Sequence, residues 1–133
     1  MMWSPPNPRF YFAIVWKIVR QVPAGQVTSY GQIASMIPPP PDVDPEQYQR
    51  LGARWVGTAM RAKPDKPMPW WRVINSQGKI SLPEPSGSQQ KAHLLAEGIE
   101  FDAQERVDFA QFGWHDVDEA WLDENELLPP KPL

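Results

Sequence analysis

At 133 residues the chain is long enough for one domain with one core and too short for two, and its 17 prolines, about 13% against a typical ~5%, predict long turns and linkers. The absence of cysteine excludes disulfides, thiolate metal sites and thiol nucleophiles, while no run approaches the roughly 18 apolar residues of a membrane span. The net charge of -3 averages two unlike parts: residues 1–99 sum to +5 and residues 100–133 to -8, a basic body with an acidic tail.

Residues 1–8 (MMWSPPNP) lack the basic start and apolar run of a signal peptide, so a flexible leader and a cytoplasmic protein are expected. Residues 9–21 place Phe10, Ile14 and Ile18 at helical spacing, with Lys17 and Arg20 on another side, and predict a core helix. Val22-Pro23-Ala24-Gly25 ends it in a tight turn. Thr28 or Ser29 can then cap a short helix, Tyr30-Gly31-Gln32-Ile33-Ala34-Ser35-Met36, with Tyr30 in its first turn. Prolines 38–41 form a stiff extended connector. Asp44-Pro45-Glu46 carries three signs of a helix start: a capping side chain, proline at the first helical position and acid in the first turn.

Gly52 is expected to weaken or break that helix, leaving Ala53-Arg54-Trp55-Val56-Gly57-Thr58-Ala59-Met60-Arg61 as the next segment. The small residues Ala53 and Gly57, with Gly52 beside them, suit close approach to another surface; from spacing alone, packing against a neighbouring helix is favoured. Residues 63–69 (KPDKPMP) form an irregular loop that delivers Trp70 and Trp71, two adjacent indoles costly to leave on a surface, so either core or a binding face. Residues 72–81 read as a hairpin around Gly78, and 82–88 as loop. Residues 91–97 read as a short helix stopped by Gly98, and 99–101 with 106–109 as two short strands. Beyond Trp114 the acidic, proline-containing sequence reads as a loosely attached tail. The expected divisions are a leader over 1–8, a domain over 9–114 and a tail over 115–133. Two helices joined by a linker and followed by a hairpin predict a mainly α fold with small β hairpins, arranged as a winged helix-turn-helix.

Four stretches, in order and in spacing, resemble the O6-alkylguanine-DNA alkyltransferase superfamily. They are Val22-Pro23-Ala24-Gly25-Gln26-Val27-Thr28-Ser29-Tyr30-Gly31, Ala53-Arg54-Trp55-Val56-Gly57, Pro69-Trp70-Trp71-Arg72-Val73 and Leu94-Leu95-Ala96-Glu97-Gly98. In the repair enzymes the third stretch is Pro-Cys-His-Arg-Val, and its Cys accepts the alkyl group from the O6 atom of guanine. Here Trp70 and Trp71 hold the Cys and His positions. A Trp at the first of these marks the alkyltransferase-like proteins, which are similar to the enzyme's DNA-binding domain without its nucleophile. Residues 98–114, with Phe101-Asp102 and Arg106-Val107-Asp108, are similar to the C-terminal end of that subfamily. The chemistry agrees, because alkyl transfer needs an activated thiolate and indole is neither nucleophile nor general base. No enzymatic activity is expected, and Glu97, at the relay glutamate's position, is expected to keep a capping or structural role.

The resemblance implies that Tyr30 presses on the phosphate beside the target nucleotide and that Arg54 enters the duplex through the minor groove. Ala53, Gly57, Thr58 and Arg61 would lie along that groove. Trp70, Tyr30, Val73, Met60 and Ser86 would form the pocket for the extruded base. Three positions depart from the related proteins: Trp55 where the enzymes usually carry a small residue, Leu82-Pro83-Glu84 where an arginine is common after Ser81, and Lys63 in place of an asparagine. Arg61, Lys63, Lys66 and Lys79 are candidates to neutralise phosphates, and any one of them equally suits an ordinary solvated surface.

The implied function is a non-enzymatic sensor that binds O6-alkylguanine in double-stranded DNA, flips the nucleotide and flags it for nucleotide excision repair proteins. A monomer without cofactor or membrane association is expected. The first alternative is a winged-helix regulator of undamaged DNA, against which the small residues around Arg54 argue, since base readout usually uses polar side chains. A protein-interaction module using the acidic tail is the second. His93 and His115 have no ligand spacing, so no metal site is expected.

Overall fold

Pro8 at the first helical position and a buried stripe of Tyr11, Val15, Ile18 and Val19 define α1 (Pro8–Val19) in a computed structural model that describes residues 5–133. Residues 1–4 of the expected leader lie outside the described residues, and Pro8 already belongs to the helix. The stripe is rotated from the expected one, because Phe10 is 65% exposed and Tyr11 takes the interior place. Tyr11 can be buried because its hydroxyl meets that of Tyr48 at 2.8 Å, and Tyr48 donates to the Ala34 carbonyl at 3.0 Å.

Ser29 caps α2 (Tyr30–Met36), its hydroxyl accepting the Gln32 N–H at 3.0 Å. Asp44 caps α3 (Pro45–Arg61) in the same way through the Glu46 N–H. α3 runs unbroken through Gly52, contrary to expectation. A Cβ at Gly52 would lie 2.9 Å from the Ala34 Cβ, so the glycine is where α2 and α3 come together rather than where a helix ends. Trp55 lies on the buried side of α3, edge-on to Tyr11 at 5.9 Å and tilted against Tyr48 at 5.7 Å.

After the loop, Trp70–Arg72 form one 3-10 turn, and β2 (Val73–Ile74) pairs in parallel with β1 (Thr28–Ser29), Thr28 opposite Val73. The expected hairpin is therefore absent. Residues 75–79 curl back on themselves, with Asn75 Oδ1 accepting the Gln77 and Lys79 N–H groups at 2.9 Å. Gly78 (φ +79) donates nothing to a partner strand; its carbonyl accepts the Val107 N–H at 2.8 Å instead. α4 (Ser86–Ala96) starts five residues before the expected 91, because Glu84 gathers the Ser88 N–H at 2.7 Å and the Ser88 hydroxyl into a start signal. The expected second strand pair reduces to the single bridge Phe101–Val107, and α5 (Phe109–Phe112) follows, capped by Asp108.

The chain after Trp114 is docked rather than loose. α6 (Glu119–Glu124) inserts Leu122 into the main core, and Leu127 follows it there. Leu128 N–H donates to Met36 O at 2.8 Å, and Trp114 O accepts the buried Gln32 amide at 3.1 Å. Adjacent strand residues face opposite sides, so Val73 joins this main core while Ile74 joins a second cluster with Val27, Leu94, Ile99 and Val107. The short strand pair thus links both halves.

Candidate functional site

The β1–β2 pairing sets Tyr30, which immediately follows β1, beside Val73, which immediately follows the turn bearing Trp70. A cavity of about 990 Å³ opens at this junction. Trp70, Met60 and Val73 line it, with Tyr30 and Gly31 contributed by α2. Ala53, Arg54, Gly57 and Arg61 contribute the α3 side. Ser81, Leu82, Pro83 and Ser86 form a rim. All five residues expected for a pocket therefore meet in one place. Of the six expected to face DNA, five line the same opening and Thr58 does not. The Thr58 hydroxyl instead donates to Arg54 O at 3.2 Å and accepts from Arg61 Nη2 at 3.3 Å. Trp55 does not reach the cavity, and Leu82 and Pro83 stand on its rim.

Trp70 is half-buried, neither sealed in the core nor free in solvent. Its ring stands edge-on to Trp71 at 6.0 Å and to His93 at 5.8 Å. Trp71 stacks on His93 at 4.3 Å with 13° between the planes, and donates its indole N–H to Glu97 Oε2 at 2.8 Å. Glu97 also accepts from Arg72 Nη2 at 2.6 Å and from the Gly25 N–H at 3.0 Å, while Arg72 Nη1 donates to Val22 O at 2.8 Å. Burial would raise the Glu97 pKa, but the Arg72 pair and the N–H groups of Gly25 and Trp71 outweigh it and bring the carboxyl down to about 2. It is a held anion, in the structural role expected for it.

No acidic side chain lines the cavity, whereas Arg54, Arg61 and Lys131 do. Burial raises the Tyr30 hydroxyl pKa, with Ser81 and the Arg61 charge opposing, so Tyr30 is a neutral phenol at pH 7. Arg20 braces the loop before Trp70 by donating to Lys66 O at 2.9 Å and Asp65 Oδ1 at 3.1 Å. Lys63, Lys66 and Lys79 are not part of the lining. Among the described residues no His/Asp/Glu group is arranged to hold a metal ion, and no helix is long and apolar enough to cross a membrane.

The 6-O-methylguanine DNA methyltransferase DNA-binding domain family matches residues 11–99. The chain belongs to that family, on its alkyltransferase-like side. The DNA base-flipping protein of Escherichia coli (strain K12) is 34% identical over 102 residues, covering 76% of this chain and 71% of the relative. Alkyltransferase-like protein 1 of Schizosaccharomyces pombe is 38% identical over 93 residues, covering 68% and 77%. The crystal structure of S. pombe Atl1 in complex with damaged DNA containing O6-carboxymethylguanine aligns with a TM-score of 0.62 and 29% identity, over 84% of this chain and all of the other. The mainly helical winged architecture expected from the sequence is thus the alkyltransferase-like one, with a parallel strand pair in place of hairpins.

Three features of this alkyltransferase-like site escaped sequence reasoning. His93 supports Trp71, and its signal was its position four residues before Glu97 on the face of one helix. Asn75, Ser76 and Gln89 add polar groups to the cavity, with no motif to announce them. Lys131 arrives from the far end of the sequence, inside what composition marks as an acidic tail.

Proposed function

We propose that this chain is a non-enzymatic DNA damage sensor that binds O6-alkylguanine in duplex DNA by docking α3 in the minor groove and taking the flipped nucleotide into the cavity. The observation that carries the reading is Trp70: a half-buried indole on the wall of an open cavity, at the motif position where the enzymes place a thiol. Ala53 and Gly57 let the backbone of α3 approach the duplex, Arg54 fills the gap left by the base, and Tyr30 presses on the adjoining phosphate. Flipping costs a few kcal/mol, less for a poorly paired base, and stacking on an indole returns about 1–3 kcal/mol. With no cysteine in the sequence and Trp71 donating to an ionised Glu97, the motif offers neither the nucleophile nor the neighbouring base for alkyl transfer. The bound lesion is then flagged, by a monomer, for nucleotide excision repair proteins.

Fluorescence anisotropy with two duplexes, identical except for one O6-methylguanine, tests this reading. Tighter binding of the lesion duplex by about tenfold, or ~1.4 kcal/mol, is expected. Equal affinity would favour the regulator of undamaged DNA, and no binding even at low salt would point to the protein-interaction module. Arg54→Ala is expected to weaken lesion binding much more than Arg61→Ala; equal small losses would remove Arg54 from the wedge role.

A further inference from the structure

We infer that residues 127–133 complete the mouth of the cavity, with the Lys131 ammonium holding a backbone phosphate of the bound duplex beside Tyr30. This rests on the reading above that the cavity docks duplex DNA. Leu127 is anchored in the main core, Leu128 N–H donates to Met36 O at 2.8 Å and Lys131 N–H donates to Ser35 Oγ at 2.9 Å. These contacts bind the segment across the last turn of α2. From Ser35 the Lys131 side chain runs back along one turn of the helix to Gly31, the residue next to Tyr30. A Cβ at Gly31 would lie 2.9 Å from Lys131 Nζ and 3.2 Å from its Cε, so the missing side chain makes the bed in which the lysine lies.

The electrostatics give this placement its sense. After Arg106 the sequence carries no Lys or Arg except Lys131, yet this one cation is delivered to a cavity already lined by Arg54 and Arg61. Among the described residues no carboxylate lies within 4 Å of its ammonium. Three cations around one opening repel one another, and a polyanion laid across the opening removes that cost. The matched family domain ends at residue 99, so Lys131 lies outside it.

The test measures dissociation constants for the full chain between 0.05 and 0.5 M NaCl, on the O6-methylguanine duplex and its undamaged twin, for the wild type, Lys131→Ala, Lys131→Arg and Lys91→Ala. Lys91 is the control because it pairs with Glu105 and does not line the cavity. Losing one phosphate contact should reduce the slope of log K against log salt by about 0.9 and weaken binding about fivefold at 0.15 M salt. That result for Lys131→Ala on both duplexes, with the lesion preference kept and with Lys131→Arg and Lys91→Ala near wild type, supports the contact. Lys131 is exposed and its backbone bond survives the substitution, so an unchanged thermal midpoint certifies the fold. An unchanged slope and affinity, or tighter binding, overturns the contact while a retained lesion preference leaves the base-flipping reading standing. A reduced slope with no lesion preference in the wild type supports the contact and removes that reading. A wild type that binds neither duplex overturns both.

Discussion

Replacing Glu97 by Gln keeps the shape of the side chain and removes the charge that gathers three separate segments. Its carboxylate accepts from Gly25 after α1, from Trp71 and Arg72 in the 3-10 turn, and sits at the C-terminal end of α4. The drop in pKa from 4.5 to about 2 corresponds to about 3 kcal/mol of stabilisation at pH 7, for a side chain only 14% exposed. The folded-state pKa is depressed, so this stability is complete above the unfolded value and is lost as pH falls through the folded one. Urea titrations of wild type and Glu97→Gln should therefore differ by about 3 kcal/mol at pH 7 and by roughly half of that at pH 3. All other carboxylates are common to both chains and cancel in the difference. The Arg72–Glu97 attraction is already part of this figure, because it is one of the causes of the pKa drop. A gap below about 1 kcal/mol at pH 7, or one that does not narrow on acidification, would refute the role given to this carboxylate.

Gly52→Val should lower stability by about 2 kcal/mol or more in denaturant titration, since the added carbons meet Ala34 where α2 and α3 touch. Leu122→Ala should cost about 2–4 kcal/mol within a single unfolding transition; no change would mean that α6 is the loose appendage its charge suggests. Trp70→Cys should gain no efficient alkyl transfer from an O6-methylguanine duplex, followed by the mass of the protein, because Trp71 gives its N–H to Glu97 and cannot take a proton from the thiol. Rapid transfer by that variant would contradict this account of the relay position.

What the sequence revealed depended on how far apart the partners are. The starts of α2 and α3 were legible because Ser29 and Asp44 act on N–H groups two or three residues away. Gly52 was misread because its breaking tendency is local, while its reason for being there, Ala34, is on another helix. Residues 72–81 announced extended backbone through their β-branched members, but not that the partner of Val73 would be Thr28 in a different part of the chain. Apolarity alone favours Phe10 over Tyr11 for the interior, and the Tyr48 hydroxyl that satisfies Tyr11 is 37 residues away in the sequence. In the acidic segment, Val117, Trp121, Leu122 and Leu127 packed despite the surrounding carboxylates. The site fared better, since Tyr30, Ala53, Arg54, Gly57, Trp70 and Val73 sit inside motif stretches; Lys131 lies outside all of them.

In the proposed function, the polar network around Trp71 and Glu97 suits holding a base rather than reacting with it. A glutamate in such a relay orients a titrating neighbour and stabilises the cation formed when that neighbour takes up a proton, which requires a partner that titrates. Here the carboxyl lies at about 2, its neighbour is an indole N–H donor, and both oxygens are taken by donors from two segments, the Gly25 turn and the 3-10 turn. Such an arrangement moves no protons and is correspondingly rigid. Rigidity is useful to the proposed function, because a stacking surface contributes its full ~1–3 kcal/mol only when no further ordering is needed at the moment of binding. Trp71, fixed on one face by His93 and at its nitrogen by Glu97, supplies a wall against which the Trp70 ring stands at 84°. In the proposed function Trp70 would be the stacking slab and Trp71 the wall that holds it upright.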